Sequence, residues 1–173
     1  GDENRLDQIY QGRDLMNLDD LAHFKKLDTL NMLAEIDGLP DQLQQAWDLG
    51  FTQPLPELDA FAIRTIVISG MGGSAIGADL AAASVFSSIR VPIIIHRDYG
   101  LPAFAQGKQT LVICSSHSGN TEETLDSFES ALKNDCSLVV ISTGGELAKR
   151  ASEENVPVWQ FSHNGQPRAA IGF

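Results

Sequence analysis

The sequence predicts an α/β fold: a three-layer α/β/α sandwich on a five-stranded parallel sheet, preceded by an N-terminal helical extension. Three observations predict it. From residue 63 onward, short β-branched runs alternate with helical stretches. The runs are apolar nearly throughout, as in parallel strands covered by helices on both faces. Gly/Ser-rich loops follow the first and third runs, where strands hand over to helices.

Up to about Gly50 the chain reads as helices. Leu18, Leu21 and Phe24 recur at helical spacing, and Leu30, Leu33 and Ala34 repeat it behind Asp28 as a cap. Pro40 suits the first turn of a third helix, which carries Leu43, Ala46 and Trp47 on one face and stops at Gly50. Residues 52–58, with Pro54 and Pro56, read as a linker, giving an extension over 1–58 and an α/β domain over 59–173. Strands are expected at 63–69, 92–96, 110–115, 137–142 and 156–161, and helices at 74–87, 121–133 and 146–153.

The 173 residues carry a net charge of −11, with 43% apolar and 20% charged residues, enough apolar content for one ordinary core. Collagen-like and disordered classes are excluded. The carboxylate surplus argues against nucleic acid as a partner, since phosphate-rich polymers need clustered Lys and Arg. No apolar run approaches the roughly 20 residues that cross a bilayer, so no membrane partner is expected. Cys114 and Cys136 lack Cys-x-x-Cys spacing and sit in or beside apolar runs, which suits reduced core residues and a cytoplasmic setting.

Ligands of open parallel sheets sit beyond the carboxyl ends of the strands. The first loop there is Ser69-Gly70-Met71-Gly72-Gly73-Ser74-Ala75-Ile76-Gly77. Its glycines permit close backbone approach, and Ser74 with the free helix N–H groups can face an anion; the same glycines also serve a tight turn. A dinucleotide site matches only in degenerate form, Gly70-x-Gly72-x-x-Ala75, and neither a Walker loop nor a Gly-x-Ser-x-Gly elbow is present.

The second loop is Ser115-Ser116-His117-Ser118-Gly119-Asn120-Thr121-Glu122-Glu123-Thr124. The hydroxyls of Ser116, Ser118 and Thr121, the amides around Gly119 and a helix N-terminus make a cradle for one phosphate without a lysine. A plain capping box, with Ser118 or Asn120 as N-cap and Glu122 or Glu123 completing it, is the alternative use of the same residues. His117 lies inside this loop, and its ring either points away or covers a ligand. His23, His96 and His163 lack metal-ligand spacing and suit surface or packing roles. Thr143-Gly144-Gly145-Glu146 reads as turn and cap chemistry. Arg168, after Pro167, is placed either to stabilise a phosphate or developing oxyanion or to be solvated.

Taken together, Gly70-Met71-Gly72-Gly73-Ser74, Ser116-His117-Ser118-Gly119-Asn120-Thr121-Glu122-Glu123-Thr124, Gln166-Pro167-Arg168-Ala169-Ala170 and the Leu39-Pro40-Asp41-Gln42 helix start resemble the bifunctional phosphoglucose/phosphomannose isomerases of the sugar isomerase (SIS) superfamily. The resemblance implies a flavodoxin-like SIS fold and interconversion of glucose 6-phosphate or mannose 6-phosphate with fructose 6-phosphate through an enediol, with no cofactor and no metal. It implies substrate contact at Gly72, Gly73 and Ser74, phosphate binding at Ser116, Ser118 and Thr121, and enediolate stabilisation at Arg168. Members of the family carry two SIS domains, and the sequence matches the first. The resemblance therefore implies that the catalytic glutamate, a ring-opening histidine and a lysine lie outside these residues and that the fragment alone is inactive or nearly so. A homodimer, or pairing with a second SIS domain, is expected because the exposed helices of half a two-domain protein would leave apolar surface wanting a partner. A sugar-phosphate-sensing module without catalysis is the alternative; a single-domain isomerase is weaker, because no base is available here.

Overall fold

The computed structural model describes residue 17, residues 19–54 and residues 58–172. Leu18 and Pro56 lie outside the described residues. The chain divides at Leu33/Ala34 into two compact units.

Helix α1 (Leu21–Leu27) is capped by Asp20, whose carboxylate accepts from His23 N at 3.0 Å. Helix α2 is Met32–Asp37. Asp28 caps it from four residues upstream, accepting from Met32 N (2.6 Å) and Leu33 N (2.9 Å). These two donors hold its carboxyl below the usual carboxylate range. Leu30 falls in the intervening turn rather than in the helix. Helix α3 (Leu39–Gly50) starts with Pro40 in its first turn, as the sequence predicts, and buries Gln42.

The sheet is wholly parallel: β1 (Thr65–Ser69), β2 (Ile93–His96), β3 (Thr110–Ser116), β4 (Ser137–Ser142) and β5 (Val158–Gln160) lie in the order β2-β1-β3-β4-β5. Helices α4 (Gly72–Val85), α5 (Glu122–Lys133) and α6 (Gly145–Glu153) connect them. All five expected strands are present. The last, expected over 156–161, is an edge strand of three residues paired only to β4.

Burial alternates along β3: Val112 and Cys114 are fully covered, while Leu111, Ile113 and Ser115 on the opposite face are half-buried. The covered face aligns Val67, Val112 and Leu138 across three strands, against Phe128 and Ala131 of α5 and Leu147 and Ala151 of α6. Full burial of a side chain such as Phe128 contributes about 2–3 kcal/mol. Both cysteines are buried free thiols, and burial pushes the Cys114 thiol up to about 12. The other face, covered by α4 and the C-terminal segment, leaves Ile68, Ile113 and Ile141 as the floor of a cleft.

Candidate functional site

The strand order reverses between β1 and β3: the chain leaves β1 for β2 on one side of the sheet and leaves β3 for β4 on the other. Such a switch point splays the loops that follow the two central strands and leaves a crevice between them. Here those are the loops after β1 and β3, the two that the sequence singles out.

After β1 the chain enters α4 at Gly72, two residues earlier than the periodicity predicts, so Gly72, Gly73 and Ser74 form the helix's first turn. Gly72 adopts φ +51° with open space where a Cβ would stand, which a side chain would strain without touching anything. No side chain caps α4. Ser74 Oγ accepts from His117 N at 3.3 Å, joining the first loop to the second.

In the second loop the hydroxyls are divided between two tasks. Ser116 is buried; its Oγ lies 2.9 Å from Thr121 Oγ1 and accepts from Gly119 N at 3.1 Å. Ser118 is exposed and accepts from Asn120 N at 3.2 Å. The capping-box alternative is not what forms: Thr121 is the N-cap of α5 without a side-chain cap bond, and Asn120 Oδ1 instead accepts from Glu146 N (3.0 Å) at the start of α6. Glu122 accepts from Tyr99 Oη at 3.1 Å, an interaction that raises the tyrosine's pKa.

The β4 loop does more than turn. His117 O accepts from Thr143 N (3.2 Å) and Thr143 Oγ1 (2.6 Å), and Gly119 O accepts from Leu147 N at 2.9 Å. A Cβ on Gly119 would stand 1.8 Å from Gly144 O, and one on Gly145 would stand 2.3 Å from Ser118 O. The two loops thus approach so closely that neither glycine has room for a side chain. The paired glycines of 144–145 were the signal for this clasp, and sequence reasoning assigned them only a local turn.

Gly73, Ser74, His117, Ile68, Ile113 and Ala170 are among the residues lining a cleft of about 170 Å³ on the half-open sheet face. Gly72, Ser116, Ser118, Thr121 and Arg168 are not among its lining residues. Arg168 is exposed on a 3-10 turn, Pro167–Ala169, that packs on α4. That turn is fixed by Gln42, which donates to Ala169 O (2.9 Å) and accepts from Gly172 N (2.7 Å).

His117 carries a further arrangement with no local sequence signal. Its Nε2 lies 3.1 Å from Nδ1 of His163, and His163 Nε2 lies 3.3 Å from Glu35 Oε2. His163 is therefore a bridging residue rather than the plain surface or packing residue its spacing suggests. Burial, and then the neighbouring His163, lower the pKa of His117. Among the described residues no group of three or more His, Cys, Asp or Glu is placed to hold a metal ion, and no helix is long and apolar enough to cross a membrane.

No protein-family model matches the chain. It is 40% identical over 142 residues to the bifunctional phosphoglucose/phosphomannose isomerase of Caldicellulosiruptor bescii, covering 82% of this chain and 41% of that protein. To the protein of the same name from Aquifex aeolicus it is 38% identical over 116 residues, 66% of this chain and 36% of that one. The chain thus spans about two fifths of the length of the curated relatives it matches. Among solved structures, the Vibrio vulnificus NanR protein complexed with ManNAc-6P is similar at TM-score 0.55 and 17% identity, covering 80% of this chain and 55% of that one. The sugar isomerase domain of the RpiR transcription factor from Sphaerobacter thermophilus is similar at TM-score 0.53 and 12% identity, covering 82% and 85%. These structural likenesses establish the fold.

Proposed function

Since the chain belongs to the bifunctional phosphoglucose/phosphomannose isomerase family over the residues they share, we propose that it supplies the phosphate-binding SIS domain of an aldose–ketose isomerase. Its substrates are glucose 6-phosphate or mannose 6-phosphate and fructose 6-phosphate. The observation that carries this reading is the joining of the two loops at the switch point, Ser74 Oγ to His117 N, beside the paired hydroxyls of Ser116 and Thr121.

In this reading Ser116, Ser118 and Thr121 hold the phosphate, together with backbone amides at the start of α5. Neutral donors suffice there, because hydrogen bonds to a charged group contribute about 1.5–3 kcal/mol each. Gly72, Gly73 and Ser74 contact the sugar, and their small side chains let the backbone of α4's first turn approach it. Arg168 stabilises the enediolate oxygen that develops as the proton moves between C1 and C2. The base that moves that proton comes from outside these residues, so the chain alone binds and does not turn over. It works in the cytoplasm, in keeping with its reduced buried thiols. Its partner is a second SIS domain, in the same chain or in a homodimer.

The test is turnover of fructose 6-phosphate by the chain extended to the length of its relatives. Glucose 6-phosphate and mannose 6-phosphate are expected as products. Arg168→Gln should cut kcat about 100-fold or more with KM little changed, the size of effect seen when an oxyanion donor is removed. Binding without turnover in the extended protein would overturn the isomerase reading.

A further inference from the structure

Glu35 in α2, His163 in the C-terminal segment and His117 in the β3 loop form one hydrogen-bonded chain that ends at the Ser74 cleft. Resting on the sugar-phosphate reading of that cleft, we propose that this chain fixes the tautomer of His117 and presents its Nδ1 as a hydrogen-bond acceptor for a sugar hydroxyl. His117 is then a substrate-binding residue, and Glu35 and His163 are positioning residues.

The direction of the chain follows from donor chemistry. An ionised carboxylate can only accept, so His163 must carry its proton on Nε2 to bond Glu35. In the neutral His163 ring Nδ1 is then the acceptor, and the bond to His117 requires a proton on His117 Nε2. That leaves His117 Nδ1 with a lone pair and no protein partner among the described residues. The lowered pKa of His117 agrees, because a protonated ring would offer a donor at Nδ1 instead.

The geometry is held from several sides. The main chain of His117 is pinned at both ends, through N to Ser74 Oγ and through O to Thr143. Its ring meets that of His163 at 86° with centroids 5.3 Å apart, and Phe161 packs edge-on at 5.9 Å. Glu35 lies so close to Gly165 that a Cβ there would stand 2.1 Å from Glu35 Oε1. The position of the carboxylate thus depends on a residue without a side chain, 130 positions away in sequence.

The ligand arm titrates the chain with fructose 6-phosphate and with inorganic phosphate. Glu35→Met, which removes the acceptor at similar volume, should weaken fructose 6-phosphate about fivefold and leave inorganic phosphate unchanged. Glu35→Gln, whose amide oxygen can still accept, should restore affinity to within about twofold of wild type. Unchanged phosphate binding in Glu35→Met also shows that the variant is folded. The spectroscopic arm uses ring ¹⁵N resonances. Wild type should show a coupling across the His117 Nε2 to His163 Nδ1 hydrogen bond, and Glu35→Met should lose it. Equal fructose 6-phosphate affinity in wild type and Glu35→Met, or freely averaging tautomers of His117 in wild type, would overturn the proposal. A wild-type chain that binds neither ligand would instead overturn the sugar-phosphate reading, and the proposal with it.

Discussion

Replacing Gly119 by alanine separates two costs that usually come together. Gly119 and Gly107 both adopt φ +68°, but a Cβ on Gly107 meets nothing within 4 Å, whereas one on Gly119 would lie 1.8 Å from Gly144 O. Both substitutions carry the left-handed backbone cost, about 1–2 kcal/mol. Gly119→Ala must in addition push the β3 and β4 loops apart. That breaks the bond from Leu147 N to Gly119 O (2.9 Å) and the bond from Gly119 N to Ser116 Oγ (3.1 Å). At about 1 kcal/mol for each bond, Gly119→Ala comes to about 3–4 kcal/mol and Gly107→Ala to about 1–2 kcal/mol. For a chain of this size 1 kcal/mol moves Tm by roughly 2–4 °C, so thermal unfolding should show drops of about 10 °C and about 4 °C. Equal drops in the two variants would refute the clasp between the β3 and β4 loops.

Two further outcomes follow from the same geometry. Gln42→Leu leaves Gly172 N and Ala169 O without their buried partner and should lower stability by about 2 kcal/mol in urea unfolding; in the extended enzyme it should also reduce kcat, since the turn that carries Arg168 loses its anchor. Because the folded pKa of His117 lies below its ordinary value of 6.5, the unfolded chain takes up a proton first as pH falls. Wild-type Tm should therefore decline below about pH 6.5, and it should decline less in His117→Asn; an identical pH profile for the two would contradict the burial of this ring.

Parallel strands buried by helices announce themselves as apolar runs, and 137–142 matches the observed β4 residue for residue. The two Gly/Ser loops were legible for the same reason: they interrupt those runs at strand ends. What periodicity could not foresee was the left-handed Gly72, which starts α4 before Ser74, or the three-residue length of β5. Nor does a run of hydroxyls reveal its division of labour. Ser116 turns inward to Thr121, Ser118 stays exposed, and Asn120 caps the following helix rather than its own. The Glu35–His163–His117 chain was invisible because its members lie 128 and 46 positions apart, and only the folded C-terminal segment brings them together.

The central claim, a sugar-phosphate cradle at the β1/β3 switch point, is tested most directly by thermal shift with fructose 6-phosphate and with inorganic phosphate, comparing wild type with a Ser116→Ala/Ser118→Ala double variant. Ligand at about 100 times its Kd adds about 2.7 kcal/mol, so wild-type Tm should rise by roughly 8 °C and the double variant should show no rise. An equal rise in both proteins, or none in wild type, would contradict it.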